Sequence, residues 1–295
     1  MVTPETREDP MAPAVSSEFL RLAAGHYENF PVGSWLVPRL QRRHLHRIYA
    51  FARIADDIAD EDRDSHALAA LRRSLRDHLA DASVAGAPLL VELRTTIREL
   101  SLPEELFFDL LDAFAEDLER HRHDEASLLD YCRRSADPIG RLVLRVFGHD
   151  DPQMDQLSDR ICTALQLVNH LQDIKEDLRD RGRIYFPEED LARHGVTEAD
   201  LRSDSASPAV RALVSEWADR TREMFREGWP LVGRVRGRLR IELRAILRGA
   251  AAVLRHMREA DHDVLSTHLR LTRRAKARVM LGALVCSSMP KEFAK

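Results

Sequence analysis

The chain contains 295 residues, of which 44% are hydrophobic and 32% are charged, so it is long enough to bury a large core. Its 45 basic and 49 acidic residues give a formal net charge of −4, which excludes an electrostatic reason for nucleic acid to be the main partner. No apolar run reaches the roughly 18 residues that a membrane-spanning helix requires.

The cysteines and the N-terminal segment bear on the cellular compartment. The three cysteines are far apart and form no CxxC pair, which favours free thiols, and Cys132 and Cys162 are expected to be small buried residues. The first 17 residues lack the apolar core of a signal peptide and are predicted to form a disordered tail. We therefore expect a cytoplasmic protein, and the sequence leaves peripheral contact with the inner face of the membrane open.

Helical periodicity dominates the rest of the sequence, and few segments alternate as strands do. It predicts helices over residues 17–27, 39–60, 65–82, 89–100, 103–121, 127–147, 152–180, 208–227, 236–260 and 270–287. A turn is expected over 28–38, a kink at Pro138 and Gly140, and a loop with one or two helical turns over 181–195. Because no linker divides this pattern, we predict one all-α domain over residues 18–288.

Two acidic clusters lie more than a hundred residues apart in the sequence. In the first, DDIADED, Asp56 and Asp60 are four residues apart near the C-terminal end of a predicted helix, where the helix dipole disfavours negative charge. In the second, Asn169, Asp173 and Asp177 recur at every fourth position, which places them on one helical face. A solvated helix face would explain either cluster alone, whereas the two together favour a shared site.

The chemistry of these side chains indicates what such a site would bind. Carboxylate and amide oxygens suit Mg²⁺ better than zinc or iron, and protein-bound Mg²⁺ is usually completed by waters and substrate phosphates. Two facing acidic helices would therefore hold a diphosphate through bridging Mg²⁺ ions and make it a good leaving group. An apolar helical bundle is a suitable container for the carbocation that forms when the diphosphate leaves.

Two long runs of sequence resemble those of a known family. HRIYAFARIADDIADE resembles the first aspartate-rich region of the squalene/phytoene synthase family, and QLVNHLQDIKEDLRDRGRIYFP resembles the second, in the expected order. The similarity spans roughly residues 18–285. It implies an all-α isoprenoid-synthase bundle that acts on prenyl diphosphates with Mg²⁺.

The same resemblance implies roles for individual residues. The ligands of the metal ions and the diphosphate would be Asp56, Asp60, Asn169, Asp173 and Asp177. Family positions that contact the diphosphate are matched by Tyr49, Arg53, Arg183 and Tyr185, and a histidine often found near it is matched by His26. Arg53 and Arg183 would stabilise the departing diphosphate, and the implied catalytic set is Arg53, Asp56, Asp60, Asp173 and Asp177.

The segment YCRRSADPIGRLVL departs from the family's usual YCxYVAGxVG pattern. Arg134 takes the place of a Tyr that squalene synthases are thought to use for condensation, and we assign Arg134 to substrate binding. These departures resemble the bacterial hydroxysqualene synthase branch, which is understood to ionise presqualene diphosphate and let water capture the cation. The resemblance therefore implies presqualene diphosphate as the substrate.

Several alternatives stay open from the sequence. The chain could be a head-to-head prenyl synthase that makes presqualene diphosphate or phytoene. It could also be a non-catalytic bundle that binds prenyl lipids or scaffolds a complex of pathway enzymes. Arg133, Arg134 and Arg141 could equally form an ion-paired helix face, and the HRHDE run over residues 121–125 is expected to be solvated.

Overall fold

The computed structural model describes residues 37–81, 83–84, 87–267, 269 and 271–294, except the side chain of Arg273. The predicted tail, the predicted helix at 17–27, most of the predicted turn and His26 therefore lie outside the described residues. The helices are α1 (Arg39–Asp57), α2 (Ser65–Ala80), α3 (Pro88–Leu100), α4 (Glu105–Glu119), α5 (Glu125–Ser135), α6 (Asp137–Val146), α7 (Pro152–Gln172), α8 (Ile174–Glu176), α9 (Glu188–His194), α10 (Glu198–Leu201), α11 (Pro208–Gly228), α12 (Leu231–Arg234), α13 (Gly237–Glu259) and α14 (Arg273–Val285). The remaining elements are two π-helical turns (Ile58–Asp62 and Asp177–Arg181), one 3-10 turn (Lys291–Phe293) and two short strands, β1 (Arg122–His123) and β2 (Ile184–Pro187).

These elements confirm the predicted all-α architecture. Several helices begin at a residue whose side chain accepts hydrogen bonds from the free backbone amides of the first turn. The carboxylate of Asp64 accepts hydrogen bonds from the amides of His66 and Ala67, both at 2.9 Å, at the start of α2. Asp151 caps α7 in the same way, and Pro152 occupies the first turn, where its missing amide proton costs no hydrogen bond.

The structure divides two helices that the sequence predicts to be continuous. The predicted helix over 152–180 ends at Gln172, because Asp173 has a φ of −106° and a ψ of 12°, and helical structure resumes only in short pieces. The predicted helix over 127–147 breaks at Ala136 and not at the expected kink. Pro138 lies in the first turn of α6, a position that suits proline, so it starts a helix here.

The predicted loop over 181–195 contains a strand. β2 pairs in parallel with β1, and the amide of Ile184 donates a hydrogen bond to the carbonyl of His121 at 3.1 Å. β1 is two residues long, too short to show the alternation by which a strand is recognised in a sequence. The predicted helical turns follow as α9.

α7 lies at the centre of the bundle and packs against α5, α6, α11, α12 and α13. Two glycines allow its closest contacts, because a Cβ at Gly228 of α11 would lie 2.9 Å from the carbonyl oxygen of Leu157, and one at Gly140 of α6 would lie within 3 Å of Ser158 and Cys162. Cys162 and Cys132 are buried free thiols, as predicted. In the described part of the chain, no helix is both long and apolar enough to cross a bilayer.

We expect Gly228→Ala to lower the free energy of unfolding by about 1–3 kcal/mol, because the added methyl group would overlap the α7 backbone. The matched control is Gly249→Ala in the interior of α13, where nothing lies within 4 Å of the added Cβ, and a gain of about 0.5–1 kcal/mol is expected. Urea unfolding measures both. Equal effects of the two substitutions would contradict the close approach of α7 and α11.

Candidate active site

The ends of the two acidic clusters face each other across a pair of arginines. The guanidinium of Arg181 lies 3.0 Å from a carboxylate oxygen of Asp60 and donates a hydrogen bond to Asp177 at 3.1 Å. Arg183 donates a hydrogen bond to the other carboxylate oxygen of Asp60 at 2.8 Å. The fold thus joins Asp60 and Asp177, which the sequence assigns to one site.

Local backbone geometry explains how the second cluster turns towards the first. Gly182 ends the π-helical turn with a φ of +68°, the left-handed conformation that glycine adopts without strain. The amide of Arg183 then donates back to the carbonyl of Asp177 at 3.2 Å. Because β2 begins at the next residue and pairs with β1, the position of Arg183 is fixed from both sides.

A cavity of about 280 Å³, open to solvent, lies beside these clusters. Its polar lining includes Tyr49, Arg53 and Asp56 from α1 and Asn169 from α7, all of which the sequence assigns to the site. Most of its other walls are apolar and come from α4, α6 and α7, as in Leu110, Phe114, Ile139 and Leu165. The cavity therefore has a charged mouth and an apolar interior.

Arg53 supplies positive charge to the first cluster. Its guanidinium lies 3.0 Å from Asp56, 2.6 Å from Asp57 and 3.4 Å from Glu61, and its side chain is 22% exposed. An arginine held by several carboxylates at the mouth of a cavity can bind an anion with little reorganisation.

Neighbouring carboxylates and burial raise the pKa values of aspartates in the two clusters. Burial, and then the charge of Asp60, raise the pKa of Asp56 to about 6. Burial, and then the charge of Asp173, raise the pKa of Asp177 to about 7. Both shifts mean that burial and a neighbouring carboxylate oppose negative charge on Asp56 and Asp177, despite the nearby arginines.

A divalent cation would stabilise the charged form of these carboxylates. The available donor atoms fit Mg²⁺, since they are carboxylate oxygens of Asp56, Asp60, Asp173 and Asp177 with the amide of Asn169. Among the described residues, no three His, Cys, Asp or Glu side chains are grouped closely enough to hold an ion by themselves. A Mg²⁺ ion at this mouth would therefore need further oxygen ligands, such as those of a diphosphate or water.

A buried hydrogen-bond network holds Arg183 in place. No pattern in the sequence predicted this network. Arg183 is 5% exposed, and it donates to the carbonyl of Asp117 at 2.9 Å and lies 3.8 Å from the carboxylate of Asp117. The hydroxyl of Tyr131 donates to that carboxylate at 2.8 Å, and Tyr131 also lines the cavity. The available signal was an acidic residue on the apolar face of α4, seven positions after Leu110.

Aromatic rings stack beside this network. Tyr185 lies between His170, with ring centroids 3.6 Å apart, and His123, with centroids 5.7 Å apart. The prediction that the HRHDE run is solvated is wrong for His123, which is 3% exposed because the pairing of β1 with β2 turns it inward. Burial lowers the pKa of His123 to about 4 and that of His170 to about 3, so both rings are neutral at pH 7.

The arginines of the segment YCRRSADPIGRLVL form ion pairs. Arg134 pairs with Glu116 and Asp130, and Arg141 pairs with Asp159 at 2.6 Å. Arg134 is absent from the residues that line the described cavity, where Tyr131 contributes instead. Its assignment to substrate binding stays a prediction, and the ion-paired helix face is the arrangement seen here.

Residues 23–275 match the squalene/phytoene synthase family. The chain belongs to this family. It is therefore an enzyme of a family that acts on prenyl diphosphates, and the predicted family and helical bundle are both confirmed. The two clusters that resemble the aspartate-rich regions of the family meet at Arg181.

Relatives within the squalene/phytoene synthase family carry out different reactions. The hydroxysqualene synthase of Rhodopseudomonas palustris is 34% identical over 252 residues, covering 82% of this chain and 84% of that protein. The presqualene diphosphate synthase of the same organism is 38% identical over 190 residues, covering 62% of this chain and 67% of that protein. The crystal structure of squalene synthase HpnC from Alicyclobacillus acidocaldarius has 41% sequence identity and a TM-score of 0.76, covering 83% of this chain and 94% of that one.

We expect Asp177→Asn to stabilise the metal-free protein at pH 8 but not at pH 4. The pKa of Asp177 is raised from 3.8 to about 7, so the folded state binds this proton more tightly than the unfolded state does. Its contribution to stability is therefore lost as the pH rises from about 4 to about 7. Removing the charge should add about 1–3 kcal/mol to the free energy of unfolding at pH 8.

Urea unfolding in the presence of a chelator measures this effect at the two pH values. The control is Asp180→Asn, since Asp180 is exposed, pairs with Arg179 and has a lowered pKa. It should give no gain at pH 8. A loss of stability in Asp177→Asn at pH 8 would show that the ion pair with Arg181 outweighs the cost of burying the charge beside Asp173.

Proposed function

We propose that this chain converts presqualene diphosphate and water into hydroxysqualene and diphosphate, assisted by Mg²⁺. The observation that carries the proposal is the meeting of the two acidic clusters at the mouth of a cavity with apolar walls. Similarity to three hydroxysqualene synthases, each over 82% of this chain, supports this reaction within the family.

The charged mouth would bind the diphosphate end of the substrate. Asp56, Asp60, Asn169, Asp173 and Asp177 would hold Mg²⁺, which when bound neutralises the diphosphate and makes it a better leaving group. Arg53 lies at the same mouth and Arg181 joins the two clusters there, so both place fixed positive charge where the diphosphate departs. Arg183 would act indirectly, because it is buried and its hydrogen bond positions the carboxylate of Asp60.

The apolar walls would enclose the hydrocarbon part. A second cavity of about 60 Å³, lined mostly by apolar side chains together with Arg238 and Glu242, adjoins the first, since Cys162 lines both. Burial raises the pKa of the Cys162 thiol far above neutrality, so it stays protonated in this wall. In the net reaction the carbon–oxygen bond to diphosphate breaks, a carbon–oxygen bond to water forms, and one proton is released.

A second candidate is the formation of presqualene diphosphate from two farnesyl diphosphates. It is favoured by the 38% identity to a presqualene diphosphate synthase. That identity covers 62% of this chain, whereas the similarity to hydroxysqualene synthases covers 82%. The two reactions differ in substrate, which makes them separable in one assay.

We expect purified protein with Mg²⁺ to convert presqualene diphosphate into hydroxysqualene, and in ¹⁸O-labelled water the alcohol should carry the label. Mass spectrometry of the extracted product measures both the product and the label. Farnesyl diphosphate alone serves as the comparison substrate. Efficient turnover of farnesyl diphosphate, or an unlabelled alcohol, would contradict the proposed reaction.

We expect Asp56→Asn and Asp173→Asn each to lower kcat/KM by about 100-fold or more, because each removes a charged ligand from the diphosphate site. Asp180→Asn is the matched control, since Asp180 belongs to the same acidic stretch but is exposed and pairs with Arg179. It should keep near-normal activity, and circular dichroism checks that all three variants fold. Full activity in the first two variants would contradict the assignment of these aspartates to the diphosphate site, whereas no turnover by the wild-type protein would favour the non-catalytic lipid-binding alternative.

A further inference from the structure

The outward face of α14 carries apolar side chains that the bundle leaves exposed. Leu281 is 61% exposed, Leu284 49% and Val285 76%, whereas Ala283 on the opposite side is buried against the bundle. At about 100° per residue, Arg274, Arg278, Leu281 and Val285 form one straight stripe along the helix. This stripe is basic at its N-terminal half and apolar at its C-terminal half.

The basic side chains of this helix are available to bind an external anion. Among the described residues, Arg274, Lys276 and Arg278 are exposed and have no carboxylate partner. Exposed arginines elsewhere are commonly paired, as Arg226 is with Glu223. The exposed apolar side chains of this helix therefore lie beside cations that no carboxylate of the described residues neutralises.

Charge is also segregated at this end of the chain. Residues 270–295 contain seven Lys or Arg and a single acidic residue, Glu292. Because the whole chain has a net charge of −4, the remaining residues carry −10. An anionic surface would therefore attract this end of the chain and repel the rest, which orients the protein on it.

A basic cleft lies between α13 and α14, directly beside the stripe. Arg248, Arg255, Arg278 and Lys291 line it together with Glu292, which pairs with Arg255 at 3.2 Å, and Arg278 also belongs to the stripe. Arg248 donates to the carbonyls of Cys286 at 3.1 Å and Ser288 at 3.0 Å, which fixes the chain after α14 against α13. The cleft can therefore hold an anionic headgroup while the apolar half of the stripe enters the acyl layer.

We propose that α14 docks this protein on an anionic phospholipid surface, with the helix axis parallel to the bilayer. The exposed apolar side chains can enter the acyl layer while the neighbouring cations attract anionic headgroups, and both contributions favour binding at such a surface. A second copy of the chain fits less well, since a symmetric contact through α14 would bury Arg274 or Arg278 without a carboxylate partner.

Docking through α14 would also bring the membrane close to the active site. The side chain of Gln172 donates to the carbonyl of Leu269 at 3.3 Å, and α14 begins four residues later. Gln172 directly precedes Asp173 at the end of α7. The docking proposal itself depends only on α14 and not on which reaction the enzyme performs.

Vesicle co-sedimentation of the full chain tests the proposal. Wild-type protein should bind vesicles that contain phosphatidylglycerol more tightly than vesicles of phosphatidylcholine alone, and added salt should weaken the binding. Arg274→Gln with Arg278→Gln should reduce the partition coefficient by about fivefold for each charge. Leu281→Ser with Val285→Ser should reduce it by about tenfold or more.

Matched controls change the same residue types on other helices. Arg73→Gln alters an exposed arginine of α2, and Leu40→Ser alters a leucine of α1 that is 59% exposed. Both should bind as wild type, and all variants should keep their melting temperature and their turnover of detergent-solubilised substrate. Equal binding by wild type and both α14 variants would overturn the proposal. So would light scattering that shows a dimer which the α14 variants dissociate without any change in vesicle binding.

Discussion

The ion pairs of Arg181 with Asp60 and Asp177 are the interaction on which the site depends. They join a turn after α1 to a turn after α8, and so connect two segments that the chain places more than a hundred residues apart. Without cations between them, the acidic clusters would repel each other and the mouth of the cavity would open. Arg181 and Arg183 supply positive charge at this junction, and both contact Asp60.

The central helix α7 makes one side of the site rigid. α7 is clamped by close contacts at Gly140 and Gly228, and the proposed metal-binding stretch begins in its last turn at Asn169. The helix then breaks at Asp173, so the following carboxylate group is carried on a turn that can point at Asp60. A rigid helix followed by a shaped turn explains how a site for a charged ligand is built at the edge of an apolar bundle.

The parts of this arrangement that are local could be predicted from the sequence. The four-residue spacing indicated a shared site, and Asp56 and Asn169, one from each cluster, do line the same cavity. The prediction that Asn169, Asp173 and Asp177 share one helical face is wrong, because the helix breaks at Asp173. The burial of His123 and the bond from Tyr131 to Asp117 depend on the pairing of β1 with β2 and on the packing of α4 against α5. No periodicity within one segment encodes such contacts, because they arise between segments that meet only in the folded protein.

The contact at Gly140 has a consequence for the size of molecule that the protein can hold. Ser158 and Cys162 occupy the space that a side chain at position 140 would need, and Cys162 forms the boundary between the two cavities. A larger residue there would displace these side chains towards the two cavities and reduce the space inside them. The glycine in α6 therefore preserves interior volume at the wall that the two cavities share.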